Sequence, residues 1–238
     1  MKSWIFYDIT KLLCWLVFRF RFGLEVTGQQ HVPAQGAFIV ASNHVSYLDP
    51  PLIGVASPRR LRFLAREDLY GRQHLALFLH RVRVISLKRN EADFHAVRAA
   101  LGCLRRGEPV AIFPECGRQL SGTLGAAKRG VGLLALAARV PIIPACVQGT
   151  FQALPPGAKH LQPSKIRVAF GEPIPYTDEP PSLHERRQAG AAGLPAPPIG
   201  WAQAGKERQE ALAEAVTRQW RLLHEQLEHP ASARTLPS

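Results

Sequence analysis

The sequence predicts an α/β domain: a layered mixed sheet flanked by helices, preceded by an N-terminal membrane-associating helical segment. Three observations carry this expectation. From Gly23 onward, short β-rich runs alternate with stretches of helical spacing, the pattern of layered domains with a parallel or mixed sheet. The chain has 238 residues, 46% hydrophobic and 20% charged, which is ordinary globular composition and long enough to bury a substantial core. The first 22 residues stand apart, rich in Trp, Phe and Leu and closed by Arg19 and Arg21.

In "MKSWIFYDITKLLCWLVFRFRFGLEV", Asp8 and Lys11 interrupt the apolar run. The uninterrupted part, Leu12 to Phe18, is far short of the roughly 20 apolar residues that a bilayer span needs. No small-residue cleavage site follows, so a secretory signal fits poorly. An interfacial helix anchored by Trp4, Trp15 and Phe18, with Arg19 and Arg21 at the headgroups, suits the pattern; a first core helix of a soluble protein is the other reading.

Strands are expected at Leu24–Thr27, Ala37–Ala41, Leu61–Ala65, Val82–Leu87, Val110–Phe113, Pro141–Val147 and Ile166–Phe170. Helical spacing covers Asp93–Arg106 and Leu124–Arg139, and more weakly Pro50–Ala56 and Asp68–His80. After Phe170 the composition shifts to Pro, Ala and Gly, as in "GAAGLPAPPIG", which reads as a loop. Lys206–Glu228 then sets Leu212, Val216, Trp220, Leu223 and Leu227 at helical spacing. The expected organisation is a membrane-associating segment at 1–22, an α/β domain at 23–175, a Pro/Ala/Gly-rich loop at 176–203 and an amphipathic helix at 204–229.

Charge narrows the function classes. Thirty Lys and Arg against 18 Asp and Glu give a formal +12, which favours a polyanionic partner: nucleic acid, an anionic membrane surface or phosphorylated substrates. No RNA-binding or helix-turn-helix signature is present, so no nucleic-acid partner is expected. Cys14, Cys103, Cys116 and Cys146 are scattered, without a CxxC pair or a histidine at ligand spacing. That pattern fits a reducing compartment and offers no metal site.

Chemistry-bearing residues gather at strand ends, where α/β sites form. "ASNHVSYLDPP" places His44 just past a strand and Asp49 before Pro50. Asp before Pro is a common helix start, so Asp49 reads equally as a cap. On a regular helix the two would face ~140° apart, and they meet only if "VSYL" is not helical. A carboxylate on one imidazole nitrogen would fix the tautomer and make the other nitrogen a base for a substrate hydroxyl. "AIFPECGRQLSG" adds Glu115 and Arg118 beyond another strand; Arg118 suits bidentate phosphate binding, and a solvated surface pair is the plainer reading. "VRVISLKRN" closes a strand with Lys88 and Arg89, and "AAKRGVG" puts Lys128 and Arg129 near a helix start.

In this order the segments resemble the glycerolipid acyltransferase family, whose best-known members are the 1-acylglycerol-3-phosphate O-acyltransferases. "NHVSYLD" at Asn43–Asp49 matches N-H-x4-D. "VISLKR" ending at Arg89, "FPECGR" at Phe113–Arg118 and "VPIIPA" at Val140–Ala145 resemble the family's other blocks, and the likeness covers roughly residues 24–175. It implies transfer of a fatty acyl group from acyl-CoA or acyl carrier protein, as co-substrate and with no other cofactor, to the free hydroxyl of the lysophospholipid 1-acylglycerol-3-phosphate, giving phosphatidic acid in phospholipid biosynthesis. It also implies His44 as general base, Asp49 as its partner, Glu115, Arg118 and Arg89 at the acceptor phosphate, and oxyanion donors near Asn43 or from backbone N–H groups. The expected place is the cytoplasmic face of a membrane, held peripherally or monotopically. Cys116 and Gly117 stand where the family usually has Gly and Thr, and Arg83 and Lys88 also depart from it. These departures motivate two alternatives: the same chemistry on another lyso-lipid, such as a lyso-amino-acid lipid, or a lipid-binding member without turnover.

Overall fold

The computed structural model describes residues 2–66, 77, 79–82, 84–87, 92–158, 160–176 and 201–229. The chain runs α1 (Lys2–Phe22), β1 (Glu25–Thr27), a 3-10 turn (Gln29–His31), β2 (Ile39–Ser42), α2 (Asp49–Ala56), β3 (Arg62–Arg66) and β4 (Ile85–Leu87). It continues through α3 (Ala92–Arg105), β5 (Val110–Ile112), α4 (Gly130–Ala138), β6 (Ile142–Gln148), α5 (Thr150–Ala153), β7 (Arg167–Phe170) and α6 (Trp201–Glu228).

Seven strands among the described residues form one sheet in the order β1-β7-β6-β2-β5-β3-β4. The β6–β7 pair is antiparallel and the other pairs are parallel, so the expected mixed sheet is present. Strand β2 lies at its centre, with Ala41 level with Ile112 of β5 and Pro144 of β6. The carboxyl ends of β2 and β5 therefore open side by side at one edge, which is what brings "NHVSYLD" to "FPECGR".

Alternation along the strands explains the three layers. Phe38 and Val40 enter the core beneath α1 and α2, whereas Ile39 and Ala41 enter the core beneath α3, α4 and α6. Burial on both faces gives β2 its unbroken apolar run, as a sheet covered on both sides requires. Helix α6 crosses the second face, where Trp220 is fully buried and its indole N–H donates to the Ala41 carbonyl at 2.9 Å. Gly132 of α4 lets that helix meet α6 closely, since a Cβ there would stand 2.3 Å from the Gln209 carbonyl oxygen.

Several expectations shift. Helix α4 begins at Gly130 rather than Leu124, because residues 124–129 are drawn out as a connector. There the Lys128 N–H donates to the Pro114 carbonyl at 2.8 Å and the Ala127 N–H to Thr217 Oγ1 at 3.0 Å, bonds that a helix would forbid. Helix α6 starts at Trp201, earlier than Lys206. The expected helix Asp68–His80 lies largely outside the described residues, as do Arg83, Lys88, Arg89 and most of the Pro/Ala/Gly-rich loop.

Helix α1 corrects the choice of anchors. Phe18 does not face outward; with Tyr7 and Phe22 it is at most 6% exposed and forms the stripe that packs on α2. Trp4, half-buried, packs edge-on against Tyr7 and lies against Arg60 and Arg62. The remaining faces carry Ile5, Ile9, Leu12, Leu13, Trp15, Leu16, Val17 and Phe20, all exposed, with Phe20 reaching 80%. Among the described residues no helix is long and apolar enough to cross a membrane.

Candidate active site

The loop between β2 and α2 is not helical, as the pairing of His44 with Asp49 requires. His44 Nδ1 lies 2.8 Å from Asp49 Oδ2. The same oxygen accepts the backbone N–H groups of Val45 and Ser46, each at 2.7 Å. Although Asp49 is the first residue of α2, its carboxylate turns back into the preceding loop, and no side-chain cap bond is made to the helix. Asp49 is fully buried and His44 is 17% exposed, so the carboxylate is shielded while the imidazole still reaches solvent. Phe113 stacks on the His44 ring with centroids 4.3 Å apart, which fixes the ring plane. With the proton on Nδ1 and donated in a hydrogen bond to Asp49, Nε2 keeps its lone pair.

Glu115 supports this loop from beneath. Its Oε2 accepts the His44 backbone N–H at 3.2 Å and its Oε1 accepts the Gly125 N–H at 3.1 Å. The Gln119 N–H in turn donates to the His44 carbonyl at 2.8 Å. Burial pushes the Glu115 carboxyl above its ordinary value, while the bonds from His44, Gly125 and Gln119 oppose the shift. Only 6% exposed, Glu115 acts on the backbone of both loops.

Asn43 is likewise engaged with backbone. Its Nδ2 donates to the Val147 carbonyl at 3.1 Å and its Oδ1 accepts the Val147 N–H at 2.8 Å. At 3% exposure the side-chain amide stitches the end of β2 to β6. Ser46 continues the seam: its hydroxyl donates to the Leu154 carbonyl at 3.1 Å, tying the loop to the segment after α5. The sequence offered no signal for the partners of Asn43 and Ser46, which are backbone groups about a hundred residues away.

Arg118 is half-buried, and its guanidinium lies flat on Tyr47 with Cζ 3.6 Å from the ring centroid. Arg118 thus rests on the loop that bears His44, and Arg89, expected beside them, lies outside the described residues. Lys128 and Arg129 are exposed just before α4, on the connector that Glu115 and Pro114 hold. Among the described residues no group of three or more His, Cys, Asp or Glu side chains could hold a metal ion.

Cys146, Glu228 and His224 look like a nucleophile group on paper, with Cys146 Sγ 4.0 Å from His224 Nδ1 and His224 Nε2 3.3 Å from Glu228. Burial pushes the Cys146 thiol up to about 12, so it stays protonated and inert.

Comparison with known proteins gives the family and the fold. The sequence model of the Acyltransferase family matches residues 23–148, from the start of β1 through the end of β6. A 1-acyl-sn-glycerol-3-phosphate acyltransferase of Bacillus subtilis is 26% identical over 90% of this chain and 94% of its own length. The human 1-acyl-sn-glycerol-3-phosphate acyltransferase alpha is 30% identical over 68% of this chain and 60% of its own. The crystal structure of the LPA acyltransferase PlsC from Thermotoga maritima superposes with a TM-score of 0.66 at 20% identity, covering 90% of this chain and 79% of that one, and so shares the fold. The chain belongs to the Acyltransferase family and is an acyl-transferring enzyme.

Proposed function

We propose that the enzyme transfers a fatty acyl group from acyl-CoA or acyl carrier protein to the free hydroxyl of 1-acylglycerol-3-phosphate, giving phosphatidic acid at the cytoplasmic face of a membrane. The observation that carries this reading is the 2.8 Å contact of His44 Nδ1 with a fully buried Asp49. Asp49 holds the imidazole in one tautomer, and Nε2 takes the proton of the acceptor hydroxyl as its oxygen attacks the thioester carbonyl. The tetrahedral intermediate then collapses, the C–S bond breaks, and the thiolate leaves with the proton returned from His44. Asn43 is occupied with Val147, so oxyanion stabilisation falls to backbone N–H groups.

Arg118 supplies the positive, planar donor suited to the acceptor phosphate. The exposed apolar faces of α1, with Arg19 and Arg21 at its end, suit an interfacial helix on an anionic membrane surface. The family relationship and the names of its relatives support the acceptor class.

The test supplies purified protein with labelled acyl-CoA or acyl carrier protein and a panel of lyso-lipids, alongside His44→Ala. Phosphatidic acid should form with the wild type and fall to background with the variant. Equal turnover by both sinks the mechanism, and preference for a lyso-lipid without a phosphate monoester moves the reading to another acceptor.

A further inference from the structure

Tyr47 is the only exposed residue of the 43–49 loop, at 59%. A single exposed tyrosine is ordinary. What is not ordinary is its occupant, for the Arg118 Cζ lies 3.6 Å from the ring centroid, at stacking contact. A guanidinium carries its five N–H donors in its own plane, so holding it by one face leaves those donors directed outward. Glu115, the acid nearest to Arg118 in the sequence, already accepts from His44 and Gly125. Among the described residues no carboxylate forms an ion pair with Arg118. A cation thus rests on an aromatic shelf, without a carboxylate partner among the described residues.

We infer that Tyr47 is a positioning residue for the acceptor's phosphate, presenting Arg118 edge-on to two of its oxygens. This rests on the proposed function for the identity of that phosphate. A free arginine on a loop samples many rotamers, and binding must then arrest them; an arginine already stacked loses less freedom when the ligand arrives. Tyr47 also stands three residues after His44 in the same loop, whose backbone is pinned by Asp49 and Glu115. Base and phosphate anchor therefore meet on one pinned segment, where the stack pre-orders Arg118 for binding. Such a role loads onto acceptor KM rather than kcat.

The experiment compares Tyr47→Leu and Tyr47→Phe with the wild type. Tyr47→Leu should raise KM for 1-acylglycerol-3-phosphate about three- to tenfold, the range expected for losing a partly desolvated cation–π contact. Its kcat should stay within about twofold, and Tyr47→Phe should restore KM because the ring face survives. In an Arg118→Ala background, Tyr47→Leu should add nothing. An unchanged KM in Tyr47→Leu, or the same rise without Arg118, overturns the inference. A readout independent of turnover is the Arg118 Nε–Hε signal in a nitrogen–proton spectrum. The tyrosine ring current should displace that signal, Tyr47→Leu should relieve the displacement, and glycerol 3-phosphate should titrate it at several-fold lower concentration in the wild type. Equal half-saturation in both proteins refutes the positioning role even if the enzyme uses a different acceptor. Failure to acylate 1-acylglycerol-3-phosphate refutes the proposed function instead.

Discussion

The backbone N–H of His44 donates to Glu115 Oε2 at 3.2 Å, so the loop bearing the imidazole is held by a carboxylate from the strand end beside it. Glu115→Ala leaves two N–H donors, of His44 and Gly125, without acceptors, and should cost about 1–3 kcal/mol. In a chain of this size that lowers Tm by several degrees. Thermal unfolding measures it, and an unshifted Tm removes the clip from the account.

Burial raises the Glu115 carboxyl above its ordinary 4.5 in the folded protein. Between the unfolded and folded values the native state binds more protons, so this group's contribution to stability falls as pH rises through that window, beginning near 4.5, and is level above it. Glu115→Gln removes the titration. The Tm of the wild type relative to this variant should therefore be highest at the acid end and decline towards neutrality. A difference that grows with pH contradicts the assigned sign.

Asp49→Asn and Asp49→Ala separate catalysis from folding. Asparagine keeps an oxygen for the Val45 and Ser46 N–H groups and for His44 Nδ1–H, all of which meet Oδ2, but loses the negative charge that stabilises the imidazolium formed in the reaction, so kcat should drop roughly 10²- to 10⁴-fold with little change in Tm. Alanine removes the acceptor for both N–H groups and should lower Tm as well. Comparable activity in Asp49→Asn and wild type would make the carboxylate structural only.

Much of this was legible in the sequence because it depends on local pattern. The strands were found from their apolar runs, whereas the side-by-side ends of β2 and β5 came only with the strand order, which an apolar run does not encode. His44 and Asp49 were found because a non-helical "VSYL" lets them meet. The roles of Asn43 and Glu115 were not legible. Both amide and carboxylate serve backbone groups that only folding brings near, and a side chain's preference for such partners leaves no periodicity. Helix α1 failed for another reason: apolar on most of its surface, it gives no contrast to tell the packed Phe18 from the exposed Phe20.

Cys116 stands where the family usually has glycine, and the structure shows why glycine suits the place: its φ is +64°. The left-handed region costs a non-glycine residue about 1–2 kcal/mol, partly offset by the ~0.5–1 kcal/mol entropy that glycine loses on folding. Cys116→Gly should hold or slightly raise Tm. Cys116 is also the exposed thiol, whereas Cys103 and Cys146 are buried. An alkylating reagent should label Cys116 in the native protein and reach Cys146 only on unfolding. Early labelling at Cys146 would contradict its burial and raised pKa.

Deleting residues 1–22 would be a poor test of membrane attachment, because Tyr7, Phe18 and Phe22 belong to the core beside α2 and their loss would expose it. Substitution on the exposed faces is cleaner. Leu12, Leu16 and Phe20 are 56%, 36% and 80% exposed, so replacing them with glutamine removes little packing. Each buried leucine or phenylalanine contributes about 1.5–3 kcal/mol when transferred from water to an apolar phase, so a triple change should weaken vesicle binding by more than tenfold while Tm stays near the wild type. Replacing Arg19 and Arg21 with glutamine should reduce binding to anionic vesicles and leave neutral vesicles unaffected, with an effect that fades at high salt. Co-sedimentation with vesicles of each composition measures both, and undiminished binding by the triple variant would assign the membrane contact to another surface.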